Sequence, residues 1–263
     1  MAPVRAGFPS SREPMTSASK GPPGPIESTS KGPEGRRSGD TRVFGLLGGI
    51  ASGKSTVSEV LAGSEGVILS ADQEAHAALE QPDIQERLIE RFGPGVIGPD
   101  GKTDRPALGK VVFDDPEARK ALEGWIHPVV RARLWAAFLA AIDQGCPAVV
   151  VDVPLLLESA PDFARRGSSS ALPDELPSEP PPDGLLRYCD YLVFIDAPIA
   201  ARDARAVKNR GWEPGEVRRR EAAQMPLAEK RRHADLIIQN DQGPNELHTQ
   251  VHAALSSLDS SSQ

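Results

Sequence analysis

Gly48-Gly49-Ile50-Ala51-Ser52-Gly53-Lys54-Ser55 fits the pattern G-x-x-x-x-G-K-[ST], the phosphate-binding loop. The apolar run Val43-Phe44-Gly45-Leu46-Leu47 precedes it, and a helix-compatible run from Thr56 to Leu61 follows. Strand, glycine loop and helix are the context this motif needs. In such a loop successive backbone N–H groups converge into an anion nest, and the next helix adds the positive end of its dipole. Gly48, Ala51, Ser52, Gly53 and Thr56 would then surround the phosphates. Lys54 would reach the β- and γ-phosphates, and the Ser55 hydroxyl would bind Mg²⁺. A chance turn rich in Gly and Ser is the bland alternative, and the two flanks argue against it. The stretch implies a bound nucleoside triphosphate and leaves the phosphate acceptor open.

The chain of 263 residues can form one large domain or two small ones. A net charge of −7 argues against broad nucleic-acid binding. No apolar run approaches the roughly 18 residues that span a membrane. Cys146 and Cys189 lack metal-ligand spacing and suit a reducing cytoplasm. Residues 1–40 are half Pro, Gly and Ser, 20 of 40, and cannot bury enough surface to order themselves. Their acidic residues and prolines oppose a targeting helix.

Outward from the loop, strands are expected at 43–47, 67–69, 148–153, 191–196 and 236–238. Their short, nearly continuous apolar runs suit a buried parallel sheet. In such sheets ligands sit beyond the carboxyl ends of the strands. Asp72, just after the second strand, and Asp152, ending the third, therefore share the edge that carries the loop. Asp72 could also be an ordinary helix N-cap. Asp152 could hold Mg²⁺ through water. Residues 73–145 read as a helical lobe inserted between strands, with one helix opening at Arg105-Pro106, another at 114–117 and an amphipathic one over 128–142. The stretch 161–184, with six prolines and four serines, reads as a disordered surface loop.

Segment 202–232 carries ten Lys or Arg against five acids, a reversal in an acidic chain. Most of these are expected on a solvated helical face. Arg202, Arg205 and Arg210 lie nearest the strand edge, and arginines on a closing lid would stabilise charge on a moving phosphoryl group. His248 and His252, four apart, read as surface residues rather than metal ligands.

These residues resemble the dephospho-CoA kinase family over about residues 42–258. The blocks run in order: the loop with its Gly-Gly-Ile start, Ser70-Ala71-Asp72, Arg105 with Leu108 and Val112-Phe113, Ile126-His127-Pro128, Asp152-Val153-Pro154-Leu155-Leu156-Leu157-Glu158, and Gln224, Lys230, Ala234-Asp235 and Asn240. The resemblance implies an α/β fold of three layers, with a mostly parallel central sheet, an inserted helical substrate lobe (73–145) and a helical lid (198–232). Residues 1–40 and 259–263 would be tails around one kinase domain. It implies ATP-dependent phosphorylation of the ribose 3′-hydroxyl of dephospho-CoA by a cytoplasmic enzyme, with a monomer expected. Lys54, Asp72 and Arg205 would be catalytic, Arg202, Arg210 and Asn240 would join the ATP site, and Arg105, His127 and Glu158 would face the acceptor. Three departures stand out. Ser70 replaces an aspartate, His76 stands where the family often has an arginine, and Ala51 replaces a frequent loop glycine. Another small-molecule kinase, such as a nucleoside kinase, is the nearest alternative. A GTP switch would need N-K-x-D and D-x-x-G, which do not occur, and an intact Lys54, Ser55 and Asp72 speak against a scaffold with a vestigial loop.

Overall fold

Five parallel strands form the centre of the molecule: β1 (Arg42–Gly48), β2 (Val67–Ser70), β3 (Ala148–Asp152), β4 (Tyr191–Asp196) and β5 (Leu236–Gln239). The computed structural model describes residues 41–113, 115–158, 176–182, 184–241 and 244–261. The expected tail at 1–40 and residues 161–175 of the proline-rich stretch lie outside them. The strand order is β2-β3-β1-β4-β5, so β1 and its loop sit at the centre. Every pairing among the described strands is parallel, a stricter outcome than the mostly parallel sheet expected.

Strand alternation builds the two outer layers. Val43, Leu47, Val149, Val151, Leu192 and Phe194 point into one apolar cluster. Phe44, Leu46, Val150, Val193 and Ile195 point into the other. The second cluster is closed by α1 (Lys54–Ala62) and α9 (Pro244–Ser261), through Val57, Leu61, Leu247 and Val251. α9 thus takes in residues 259–261, which the sequence assigned to a tail. The first cluster is closed by α2 (Ala71–Leu79), α3 (Pro82–Phe92), α4 (Arg105–Phe113) and α5 (Pro116–Asp143). The order then runs through α6 (Ile199–Arg210), α7 (Glu216–Glu221) and α8 (Leu227–Arg232).

The two helices expected at 114–117 and 128–142 are one helix of 28 residues, α5, that passes through Pro128. A proline ring in a helix crowds the carbonyl four residues back. That residue is Gly124. Apolar packing on both sides of Pro128, from Ile126 and Val130 to Phe138, keeps the helix whole. Residues 176–182 also depart from a free loop. Trp135 Nε1 donates to Pro177 O at 3.1 Å, and Arg131 Nη2 donates to Pro181 O at 3.1 Å, so this stretch lies along α5. Among the described residues no helix is long and apolar enough to cross a membrane.

Candidate active site

The loop between β1 and α1 takes its shape from three residues with positive φ: Gly48 (146°), Ala51 (57°) and Gly53 (99°). For alanine this is the small left-handed region, at a cost of about 1–2 kcal/mol. Two side-chain pairs brace the loop from outside. Glu221 Oε1 accepts from Ile50 N at 2.6 Å and from Arg202 Nη1 at 2.5 Å, and Arg202 Nη1 also lies 3.4 Å from Ile50 O. The Ile50 N–H and the Ile50 carbonyl, on successive peptides, are thus both held. A Cβ on Gly49 would collide with this ion pair. The second brace is Arg205, whose guanidinium donates to Asn240 O and Oδ1, both at 3.1 Å, and reaches Ser52 O at 3.3 Å. Asn240 Nδ2 in turn donates to Ser52 O at 2.7 Å, and a Cβ on Gly53 would strike it.

Three arginines were expected as lid cations. Arg202 is instead 5% exposed and tied to Glu221. Arg205 is half-buried against the loop carbonyls. Arg210 is exposed, 5.1 Å above the Trp212 ring. Neither Glu221 nor the first brace was foreseen. Nothing in the spacing of 202–221 links a glutamate to a loop 171 residues earlier.

Inside the loop, Lys54 Nζ donates to Gly49 O at 3.0 Å and lies 3.4 Å from Gly48 O. Burial holds this ammonium below the ordinary lysine value; Asp152 opposes the shift, and Lys230 and Arg210 add to it. Asp152 ends β3, in register with Ser70 of β2. Burial pushes its carboxyl above the ordinary aspartate value of 3.8, Lys54 draws it back, and Asp72 pushes it further up. Lys54, Asp152 and Asp72 therefore form one electrostatic cluster at the carboxyl edge of the sheet. Ser70 caps α2, its side chain accepting from Gln73 N at 3.4 Å. Asp72 is thereby released from capping and stands exposed in the first turn. The serine that replaces a family aspartate is a helix cap.

Asp72 also lines a cavity of about 640 Å³ between α2, α5 and the segments after β3 and before β4. His127 and Glu158 line the same cavity. Glu158 Oε1 accepts from Lys230 Nζ at 2.9 Å and from Met225 N at 3.1 Å, while its Oε2 is buried with no partner. Lys230, from the basic segment expected to be solvated, is 2% exposed. Arg105 is placed elsewhere. Its Nη1 is 2.7 Å from His76 Nε2, beside a shallow hollow with Asp104 and Glu80, so the three expected acceptor residues are split. His248 and His252 are exposed, and among the described residues no group of three or more His, Cys, Asp or Glu could hold a metal by itself.

A central parallel sheet, a glycine loop capped by a helix, and a carboxylate beside a second cavity define a phosphate-loop kinase: an enzyme that moves a phosphoryl group from a nucleotide to a bound acceptor. The dephospho-CoA kinase family model matches residues 42–165 and 183–246, and the chain belongs to that family. A dephospho-CoA kinase of Symbiobacterium thermophilum is 41% identical over 214 residues, 81% of this chain and 80% of that protein. One from Geobacillus kaustophilus is 35% identical over 222 residues, 83% of this chain and 98% of that protein. The crystal structure of TT1252 from Thermus thermophilus superposes with a TM-score of 0.59 at 32% identity, covering 82% of this chain and 97% of that one. A dephospho-CoA kinase from Campylobacter jejuni shares the fold, with a TM-score of 0.54 at 23% identity over 82% of this chain and 97% of that one.

Proposed function

We propose that this chain transfers the γ-phosphate of ATP to the ribose 3′-hydroxyl of dephospho-CoA, with the triphosphate in the loop and the acceptor in the cavity lined by Asp72. The observation that carries the reading is the position of Asp72. It belongs at once to the acceptor cavity and to the charged cluster around Lys54. The stripe of α5 along the cavity runs from Leu122 to Trp135, about 20 Å at 1.5 Å per residue. That is longer than a nucleoside needs and favours an elongated acceptor.

In this reading Asp72 holds the 3′-hydroxyl in line with the γ-phosphate and takes its proton. Lys54 exchanges its loop carbonyls for phosphate oxygens, and the backbone N–H groups of residues 51–56 neutralise the rest. Positioning and charge stabilisation supply most of the rate. Arg205 and Asn240 keep the nest in shape, and Arg210, exposed near Lys54, is the arginine with freedom to move onto the phosphates. The exposed Ser55 hydroxyl and the half-buried Asp152 carboxylate are hard oxygen donors of the kind Mg²⁺ takes, with water and phosphate completing its shell. Bound there, Mg²⁺ would supply charge neutralisation for the phosphates. The same reading takes the enzyme as a cytoplasmic monomer.

Asp72→Asn tests the assignment. It removes the base and keeps the shape, so kcat should fall about 10²–10⁴-fold, while ATP affinity by calorimetry stays within about twofold. Turnover within about threefold of the parent would remove Asp72 from this role.

A further inference from the structure

Residues 166–182 lie outside the segments that the family model matches, yet part of this stretch helps to build the acceptor cavity. Pro180, Pro181 and Pro182 line it beside α5. Two side chains of α5 hold them there: Arg131 through Pro181 O and Trp135 through Pro177 O. Leu176 packs against the main apolar cluster, and Pro181 is buried. Trp135 is itself fixed, 3% exposed and in ring contact with Phe138 and Tyr188. The wall is therefore anchored at two points, by α5 residues that themselves line the cavity. Proline has no N–H, so three in a row offer the cavity no backbone donor, and the carbonyl of Pro181 is taken up by Arg131.

We propose that this proline wall is a binding surface for the non-reacting arm of the acceptor, and so a determinant of acceptor affinity peculiar to the inserted stretch. The inference rests on the acceptor reading given above. The arm of dephospho-CoA is a thin chain of methylenes and amides with a geminal dimethyl group, a shape that gains from apolar contact on two sides. The α5 stripe of Leu122, Ile126, Val130 and Leu134 and the three prolines line the same cavity and supply that contact. Proline side chains carry no charge and no group that could take or give a proton, so they touch the acceptor without entering the transfer step. Contact at the wall is accordingly equal in ground and transition states, and its loss acts on KM rather than on kcat.

The test replaces Pro180, Pro181 and Pro182 together by glycine in the full chain, keeping every backbone carbonyl. Steady-state rates with dephospho-CoA and ATP should show the KM for dephospho-CoA rising about tenfold or more, the scale of one or two lost apolar contacts. The KM for ATP and kcat should stay within twofold. Should circular dichroism show the triple variant unfolded, Pro180→Gly alone is read the same way, with a rise of about threefold or more expected. A KM for dephospho-CoA within twofold of the parent, or a parallel loss in the KM for ATP, overturns the wall. A parent chain that does not phosphorylate dephospho-CoA overturns the acceptor reading and the wall with it, whereas an active parent beside an unchanged variant overturns the wall alone.

Discussion

Glu221→Ala removes the carboxylate that joins Arg202 to the Ile50 peptide. Side-chain exposure is 5% for Arg202 and 14% for Glu221, so the pair is nearly dry. Removing one partner of a buried pair costs about 3–5 kcal/mol, because a desolvated charge is left behind. Arg202 keeps Ala197 O at 3.0 Å and the longer contact to Ile50 O. These leave the expected loss at the lower end, about 3 kcal/mol. For a domain of this size each kcal/mol moves Tm by about 2–4 °C, so the fall should be about 6–12 °C. Glu216→Ala is the control on the same helix. Glu216 pairs with Arg219 and Arg220, whose side chains are 67% and 44% exposed, and such surface pairs contribute about 0–1 kcal/mol. Scanning calorimetry of the ligand-free proteins separates the two. A Glu221→Ala shift under 2 °C, or one no larger than that of Glu216→Ala, would refute the idea that this pair braces the loop.

Ala51→Gly should stabilise the fold. Relief of the left-handed alanine, about 1–2 kcal/mol, exceeds the extra chain entropy of glycine, about 0.5–1 kcal/mol, so Tm should rise by about 1–4 °C; a fall would contradict the strain at φ 57°. Asp152 binds its proton more tightly folded than unfolded, since burial raises its pKa above 3.8. It therefore costs stability above its folded pKa, and the cost fades as pH falls through that value toward 3.8. Urea midpoints should show Asp152→Asn more stable than the parent at pH 7, with the gap closing as pH falls toward 4. A gap that widens on acidification would reverse the assignment.

The sheet was legible because buried parallel strands read as apolar runs, and each of the five expected strands is present with ends within a residue or two. The loop was legible because its chemistry forces glycine and lysine at fixed spacing. Side-chain partnerships across the fold were not. Lys230 looked like one more cation in a basic segment, and only the folded chain shows it 2.9 Å from Glu158 in a dry site. Arg202 and Arg205 were expected nearest the strand edge as lid cations, and the partners that restrain them against the loop, Glu221 and Asn240, are set by how α7 and the end of β5 pack. Pro128 read as a helix start because proline often opens helices; its tolerance inside α5 rests on packing along the whole helix. The proline-rich stretch read as disorder from composition, which carries no trace of the two α5 side chains that hold residues 177 and 181.

The most direct test of the central claim is ADP release by the full chain with ATP, Mg²⁺ and dephospho-CoA, followed by location of the new phosphate on the product. The account predicts one ADP per dephospho-CoA consumed, with the phosphate on the ribose 3′-oxygen, and no release above background in the Asp72→Asn variant beyond its residual rate. Folded protein that releases no ADP in response to dephospho-CoA, or that places the phosphate on another oxygen, would contradict it.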